Sequence, residues 1–150
     1  MDVETLHLGI CSGMVMAGRH WRRICQVTLA SYGITEARAA PLMMIHRLGR
    51  GVRQVTVAHA SGLESPSLVR LLDQLCAEGL VVRSEDPTDR RAKTLSLTPE
   101  GKALAESIEK ELTSLRHVVL GHVPMADLEA ALRVVRAFEE SGYGTATWAP

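Results

Sequence analysis

The sequence predicts a mainly α fold that carries one small β-hairpin. Three observations predict it. Apolar residues recur at helical spacing in several stretches, as in Leu104, Ile108, Leu112, Leu115 and Val119. Two short β-type runs, Leu80–Arg83 and Lys93–Leu97, flank a polar loop from Ser84 to Ala92. Ahead of them, two short helical segments meet at the turn Ser61-Gly62, the pattern of a helix-turn-helix. The predicted architecture is a winged helix-turn-helix with further helices at both ends.

Composition bounds what this fold can do. The chain has 150 residues, 46% of them hydrophobic and 23% charged, which suits one domain of ordinary size with a real core. Trp21, Tyr32, Phe138, Tyr143 and Trp148 are the only aromatics, so Leu, Val, Ala, Met and Ile must build that core. No apolar run reaches the roughly 18–20 residues of a membrane helix. Met1 to Leu8 carries Asp2 and Glu4 without a basic flank, unlike a signal peptide. A soluble cytoplasmic protein with no membrane partner is expected. Cys11, Cys25 and Cys76 form no CxxC pair and no metal-ligand cluster, and inert buried thiols are expected. No HExxH, GxSxG or Gly-rich phosphate loop is present, so neither an enzyme nor a cofactor or metal is expected.

Net charge is zero, which alone argues against nucleic acid. The distribution argues otherwise. Between Val15 and Arg70 the only acids are Glu36 and Glu64, against eight Arg; between Ala103 and Glu140 seven acids face four bases. Chance clustering on a solvated surface is the alternative.

In chain order, a first helix spans about Leu6 to Leu29 and stops at Tyr32-Gly33. Thr35 is the expected N-cap of a second, with Pro41 set to delay its start or bend it and Leu42, Ile45 and Leu48 as its apolar face. A short helical piece covers Val55 to Ala60, and Leu63 plugs the turn that follows. Ser65-Pro66 opens the next helix, with Leu68, Leu71, Leu72 and Leu75 at helical spacing and Glu78-Gly79 as its end. After the hairpin, Thr98-Pro99 repeats the cap-plus-proline signal for a long helix ending at Gly121. Pro124 starts the last, striped by Met125, Leu128, Leu132, Val135 and Phe138. Residues from Ser141 on show no periodicity and read as a loose tail.

In a helix-turn-helix the second helix lies in the major groove, its N-terminal residues near base edges. Those are Ser65, Pro66, Ser67 and Arg70, and Arg grips guanine with paired hydrogen bonds. Arg90 and Arg91 at the hairpin tip reach phosphates or a narrow minor groove. Asp86 and Pro87 shape the turn, and Asp89 is placed to pair with one of these Arg. Taken alone, that loop is equally a solvated charged loop. A winged helix that only binds protein is a further alternative, and it would present an apolar or acidic recognition face.

Gln54 to Gly101 resembles the MarR family of bacterial regulators. The matching features are Leu71-Leu72-Asp73-Gln74-Leu75, Glu78-Gly79-Leu80-Val81, Arg83, Asp86-Pro87, Asp89-Arg90-Arg91-Ala92 and Leu97-Thr98-Pro99-Glu100-Gly101, with Tyr32-Gly33-Ile34-Thr35 ahead of the second helix. The resemblance implies dimerisation helices at 1–33 and 102–142 around a DNA-binding domain at 34–101, with a flexible tail at 143–150. It implies a homodimeric repressor on a palindromic double-stranded operator, released by a small molecule, often an aromatic acid or phenol. One departure is Glu64, where the family commonly has a capping Ser; a carboxylate there repels phosphate unless it caps the helix or reads a cytosine amine.

The family's effector pocket lies between the dimerisation helices and the winged domain. Candidates for it here are His7, Arg19, His20 and Arg23 on the first helix and His46 on the second. Two guanidinium groups near a cleft suit a carboxylate. Exposed helix positions or dimer salt bridges are the alternative for these Arg. A thiol-based redox sensor at Cys11 is the competing trigger, although its sequence neighbours Gly9, Ile10, Gly13, Met14 and Val15 offer a thiolate no support.

Overall fold

The computed structural model describes residues 2–61 and 65–141, with Ser65 described by its backbone alone. The expectations for Gly62, Leu63, Glu64, the Ser65 side chain and the tail lie outside the described residues. The chain divides into two compact units, Met1–Thr113 and Ser114–Pro150.

In the first unit, α1 (Val3–Ala30) leads to α2 (Glu36–Leu48), β1 (Val52–Arg53), α3 (Gln54–Ser61), α4 (Ser65–Ala77), β2 (Val81–Glu85), β3 (Lys93–Leu97) and the start of α5 (Pro99–Leu120). α1 begins a turn earlier than its apolar pattern suggests because Asp2 caps it, accepting from the Thr5 N–H at 2.8 Å. Thr35 is the N-cap residue of α2, yet its hydroxyl makes no capping bond. Pro41 neither delays nor ends α2; its ring is fully buried, and that burial offsets the missing N–H.

The expected hairpin is present, and the sheet adds two features to it. The wing is three-stranded, in the order β1-β3-β2, because Val52 and Arg53 pair antiparallel with Leu95 and Thr94. β3 is therefore the central strand, and Thr94 is buried beside Leu95 although the alternation assigns it to a polar face. The hairpin itself has the register Val81↔Leu97 to Glu85↔Lys93.

The core joins every element of this unit, the two-residue β1 through half-buried Val52. Leu42 and Ile45 of α2, Val57 of α3, Leu68, Leu72 and Leu75 of α4, Leu95 of β3 and Ile108 of α5 are all at most 1% exposed. Leu48 is corrected to a surface residue at 44% exposure, and Met43 takes the buried place on α2. Leu71 of α4 is only half-buried. Cys11 is also exposed, against the expectation of a buried thiol; Cys25 and Cys76 are half-buried.

The joint between α4 and α5 sets the wing's two ends. Gly79 ends α4 with φ +70°, a backbone state that suits Gly. The Thr98 hydroxyl donates to the Gly79 carbonyl at 2.6 Å and accepts the Gly101 N–H at 3.0 Å. The Thr98 N–H donates to the Leu80 carbonyl at 3.1 Å. Gly101 is buried so close to that carbonyl that a Cβ would lie 1.9 Å from its oxygen. Thr98 thus caps α5 and ties it to the end of α4.

In the second unit the end of α5 is followed by α6 (Met125–Glu140). Gly121 donates to the His117 carbonyl at 2.8 Å, and Val123 to that of Leu120 at 3.0 Å, turning the chain. The apolar stripe of α6 exists as the periodicity indicates, but no residue of α6 is buried, and Met125, Leu132, Val135 and Phe138 are exposed.

Gly101→Ala is expected to destabilise the fold by at least about 2 kcal/mol, since backbone must move to admit the methyl. Thr98→Val should cost about 1–2 kcal/mol through the lost cap. Chemical denaturation checks both; an unchanged midpoint for Gly101→Ala would contradict the close approach.

Candidate nucleic-acid interface

α4 buries Leu68, Leu72 and Leu75 on one side and leaves Pro66, Ser67 and Arg70 exposed on the other. The separation follows from the 3.6-residue period, which returns the Leu positions to the core and Ser67, Arg70 and Gln74 to one outer face. Gln74 is a polar residue of that face that the sequence reading passes over, although it follows Arg70 by one turn. Ser67, Arg70 and Gln74 also border an open groove shared with Thr35 and Arg38 at the start of α2.

Asp86 builds the wing from within. It is only 7% exposed. Its Oδ1 accepts the Thr88 N–H at 2.8 Å and the Thr88 hydroxyl at 2.6 Å, and its Oδ2 accepts from Arg53 Nε at 2.7 Å. These bonds, Thr88 first and then Arg53, hold the Asp86 carboxyl down at about 2. Asp89 also structures the loop, but not by gripping an arginine side chain. Its Oδ1 accepts the backbone N–H of Arg91 at 3.0 Å, a turn bond within reach of a short side chain. Backbone bonds from Asp86 to Ala92, at 3.1 Å, and from Ala92 to Asp89, at 2.9 Å, complete the loop. Arg53 was invisible to the sequence reading because its partner lies 33 residues away. Across the sheet, Arg83 of β2 donates to Asp73 of α4 at 2.8 Å and so fastens wing to helix.

Two sets of arginines contrast. Arg22, Arg38, Arg47, Arg53 and Arg83 pair with Glu36, Glu78, Glu109, Asp86 and Asp73 respectively. Arg70 on α4 and Arg90 and Arg91 on the wing are exposed and carry no ion pair among the described residues. Neutral net charge thus conceals three uncompensated guanidinium groups on the two elements expected to meet DNA.

Two concavities bear on the effector candidates. One, of about 270 Å³, is lined by Cys25 and Leu29 of α1, Met43 and Met44 of α2, and Ile108 and Leu112 of α5, with Glu36 and Arg47 at its edge. The other, of about 500 Å³, lies between the end of α2 and the start of α5 and includes His46, Arg50 and Lys102. His7, Arg19, His20 and Arg23 stand exposed on α1 and line neither cavity, so the structure does not bring them together with His46. Arg22, not Arg19 or Arg23, reaches α2, through Glu36 at 3.0 Å.

The Asp86 carboxyl binds as a carboxylate, with its folded value below the ordinary 3.8. Its stabilisation is therefore complete above about 4 and disappears as pH falls through about 2. Asp86→Ala should lower the thermal midpoint at neutral pH, and its difference from the parent should shrink between pH 4 and pH 2. A difference that stays constant over that range would show that the charge on Asp86 does not hold the wing.

Comparison with known proteins agrees with this architecture. The family model described as ArnR1-like, winged-helix domain matches residues 26–119, more than half of the chain. Among solved structures, MarR of Staphylococcus aureus in complex with salicylate and kanamycin superposes with a TM-score of 0.82 at 19% identity, covering 95% of this chain and 96% of that one. CouR from Rhodococcus jostii RHA1 bound to p-coumaroyl-CoA gives 0.76 at 23% identity, covering 91% and 92%. A mutant MarR from E. coli complexed with operator DNA gives 0.70 at 23% identity, covering 90% and 99%. The chain therefore belongs to the ArnR1-like winged-helix family and has the fold of the MarR-family transcription regulators.

Proposed function

We propose that the chain is a homodimeric transcription repressor, not an enzyme, which acts in the cytoplasm on a palindromic operator and releases it when a small aromatic acid or phenol binds. The observation that carries the reading is the sorting of the arginines. Those between the wing and its supports are consumed by ion pairs, whereas Arg70, Arg90 and Arg91 are exposed and carry no ion pair among the described residues. An unpaired guanidinium on a recognition helix meets base edges, and one on a wing meets phosphate or the minor groove. Ser65, Pro66 and Ser67 complete the recognition end. Asp86 and Asp89 hold the wing that presents Arg90 and Arg91. The neighbour seen with operator DNA supports the same use of the fold.

A second copy of the chain is the proposed cover for the terminal helices. α1 exposes Val3, Leu6 and Ile10, and α6 exposes Leu132, Val135 and Phe138. Apolar stripes of this length need burial. For the effector, the smaller cavity is lined mainly by apolar side chains, and its edge residues Glu36 and Arg47 are already engaged by Arg22 and Glu109. It suits an uncharged ring such as a phenol. Neighbours bound to salicylate and to p-coumaroyl-CoA support small-molecule response. The thiol alternative has less behind it: Cys11 is exposed and so accessible to an oxidant, but no hydrogen bond among the described residues supports a thiolate there.

Fluorescence anisotropy with the chain's own upstream DNA tests the reading. Binding should weaken steeply with salt. Arg90→Ala should weaken all sequences alike and reduce the log–log salt slope by about 1, while Arg70→Ala should cost about 1–3 kcal/mol on the operator and relax sequence preference. Equal losses from both changes on every sequence would reject this division of roles, and salt-independent binding would reject the regulator. Leu132→Asp should shift the chain toward monomer in sedimentation and lose operator binding with it; a dimer that persists unchanged would remove α6 from the interface.

A further inference from the structure

We propose that Val69, together with the ring of Pro66, is a specificity determinant of α4 that packs on the C5-methyl group of a thymine beside the base pair gripped by Arg70. The assignment rests on the reading of α4 as the helix that enters the major groove. Val69 is 38% exposed, and it is the only exposed large aliphatic side chain of α4 among the described residues. Pro66 is exposed three positions earlier, so the two side chains are neighbours on one flank of the helix's first turns. Arg70 follows Val69 directly and lies beside that flank, about 100° further round the helix.

The helix presents two unlike flanks on either side of Arg70. One carries Ser67 and Gln74, which offer hydrogen bonds; the other carries Pro66, Val69 and Asp73. Asp73 is the one carboxylate of α4 and would repel phosphate, but Arg83 of β2 donates to it at 2.8 Å. With that charge paired, what the Val69 flank offers at its N-terminal end is apolar surface. Set against the donors and acceptors of a base edge, such a surface leaves hydrogen bonds unmade. The thymine C5-methyl is the apolar feature of the major groove, and apolar side chains meet it in direct readout. Val69 and Pro66 are also stiff, so neither loses much rotamer freedom on contact. The valine serves α4 itself poorly, since a β-branched side chain lowers helix propensity and this one is not buried in the core. One helical turn of about 5.4 Å spans fewer than about two base-pair steps, so Val69 and Arg70 address neighbouring positions of one half-site.

Single thymine-to-deoxyuracil replacements in the chain's own upstream DNA remove the methyl and keep the base's hydrogen-bonding groups. Anisotropy of the full chain should show about a fourfold loss of affinity at one thymine of each half-site, the worth of one buried methyl. That thymine should lie within about two base pairs of the pair whose preference Arg70→Ala relaxes. Val69→Ala should bind the parent DNA severalfold more weakly and no longer distinguish thymine from deoxyuracil there. Val69→Thr, which keeps the shape and one of the two methyls, should retain part of the distinction. Full discrimination in Val69→Ala would overturn the assignment, as would a uniform loss at every thymine or a loss at none. A lowered thermal midpoint in Val69→Ala with discrimination intact would place Val69 in the protein's own packing and overturn it equally. If Val69→Ala fails to fold, the scan of the parent against Val69→Thr decides: a smaller penalty in the variant upholds the contact, and an equal one removes it. Absence of salt-dependent DNA binding would overturn the assignment together with the regulator reading, whereas binding indifferent to the methyl would overturn the assignment alone.

Discussion

The wing depends on one close contact of backbone with backbone. The first turn of α5 lies against Leu80 so tightly that only a hydrogen fits at Gly101. Thr98 makes that approach favourable by satisfying groups on both sides of it, the Gly79 carbonyl and the Gly101 N–H. The entry to β2 and the exit from β3 are thereby fixed within one hydrogen-bonded joint. A hairpin held at its base in this way needs less support at its tip, where Asp86 and Asp89 supply it through short local bonds. Since isolated two-stranded hairpins are marginal in water, the third strand and this joint together make the wing a rigid carrier.

Charge in this molecule acts by position more than by amount. With no net charge, long-range attraction to a polyanion is weak, and a protein of this charge that bound one would have to present cations locally. The ion pairs contribute to this by subtraction. Each exposed pair adds at most about 1 kcal/mol to stability, but each also removes an arginine from competition for an anion. Among the described residues of the winged domain, the arginines without an ion pair lie on α4, at the wing tip and in the cleft at Arg50.

The fold was legible because its signals are local. Proline and threonine at helix starts, glycine at the end of α4 and the alternation of β3 each act within a few residues, and the element order follows from them. The losses have a common physical origin in distance along the chain. β1 is two residues long and exists only through pairing with β3, so Val52 and Arg53 have no pattern of their own. Arg53 and Asp86 meet across 33 residues, and Arg47 and Glu109 across 62. The burial of Thr94 and the exposure of Leu48 are likewise decided by what covers them. For the effector, spacing on α1 identified residues that share a helix face, but a face is not a cavity. Only the tertiary contact of α2 with α5 shows that Arg50 and Lys102, rather than Arg19 and Arg23, border a hollow with His46.

That contact gives α2 a particular position in the molecule. Its first turn is engaged by α1 through Glu36 and by the end of α4 through Arg38, and its last turn borders the basic cleft. Between these ends it is anchored by Leu42 and Ile45, whose fully packed side chains resist any change within the helix. A ligand at either cavity would therefore have little scope to bend α2 and would act on its placement as a whole. The contacts at its ends are surface ion pairs, cheap to exchange, while those at its middle are core. A coupling between effector and DNA is a difference in ligand affinity between two arrangements of the protein. The physical requirement on any effector here is accordingly specific: it must favour one seating of α2 against α4 over another, and tight binding without that preference would leave the recognition helix where it is.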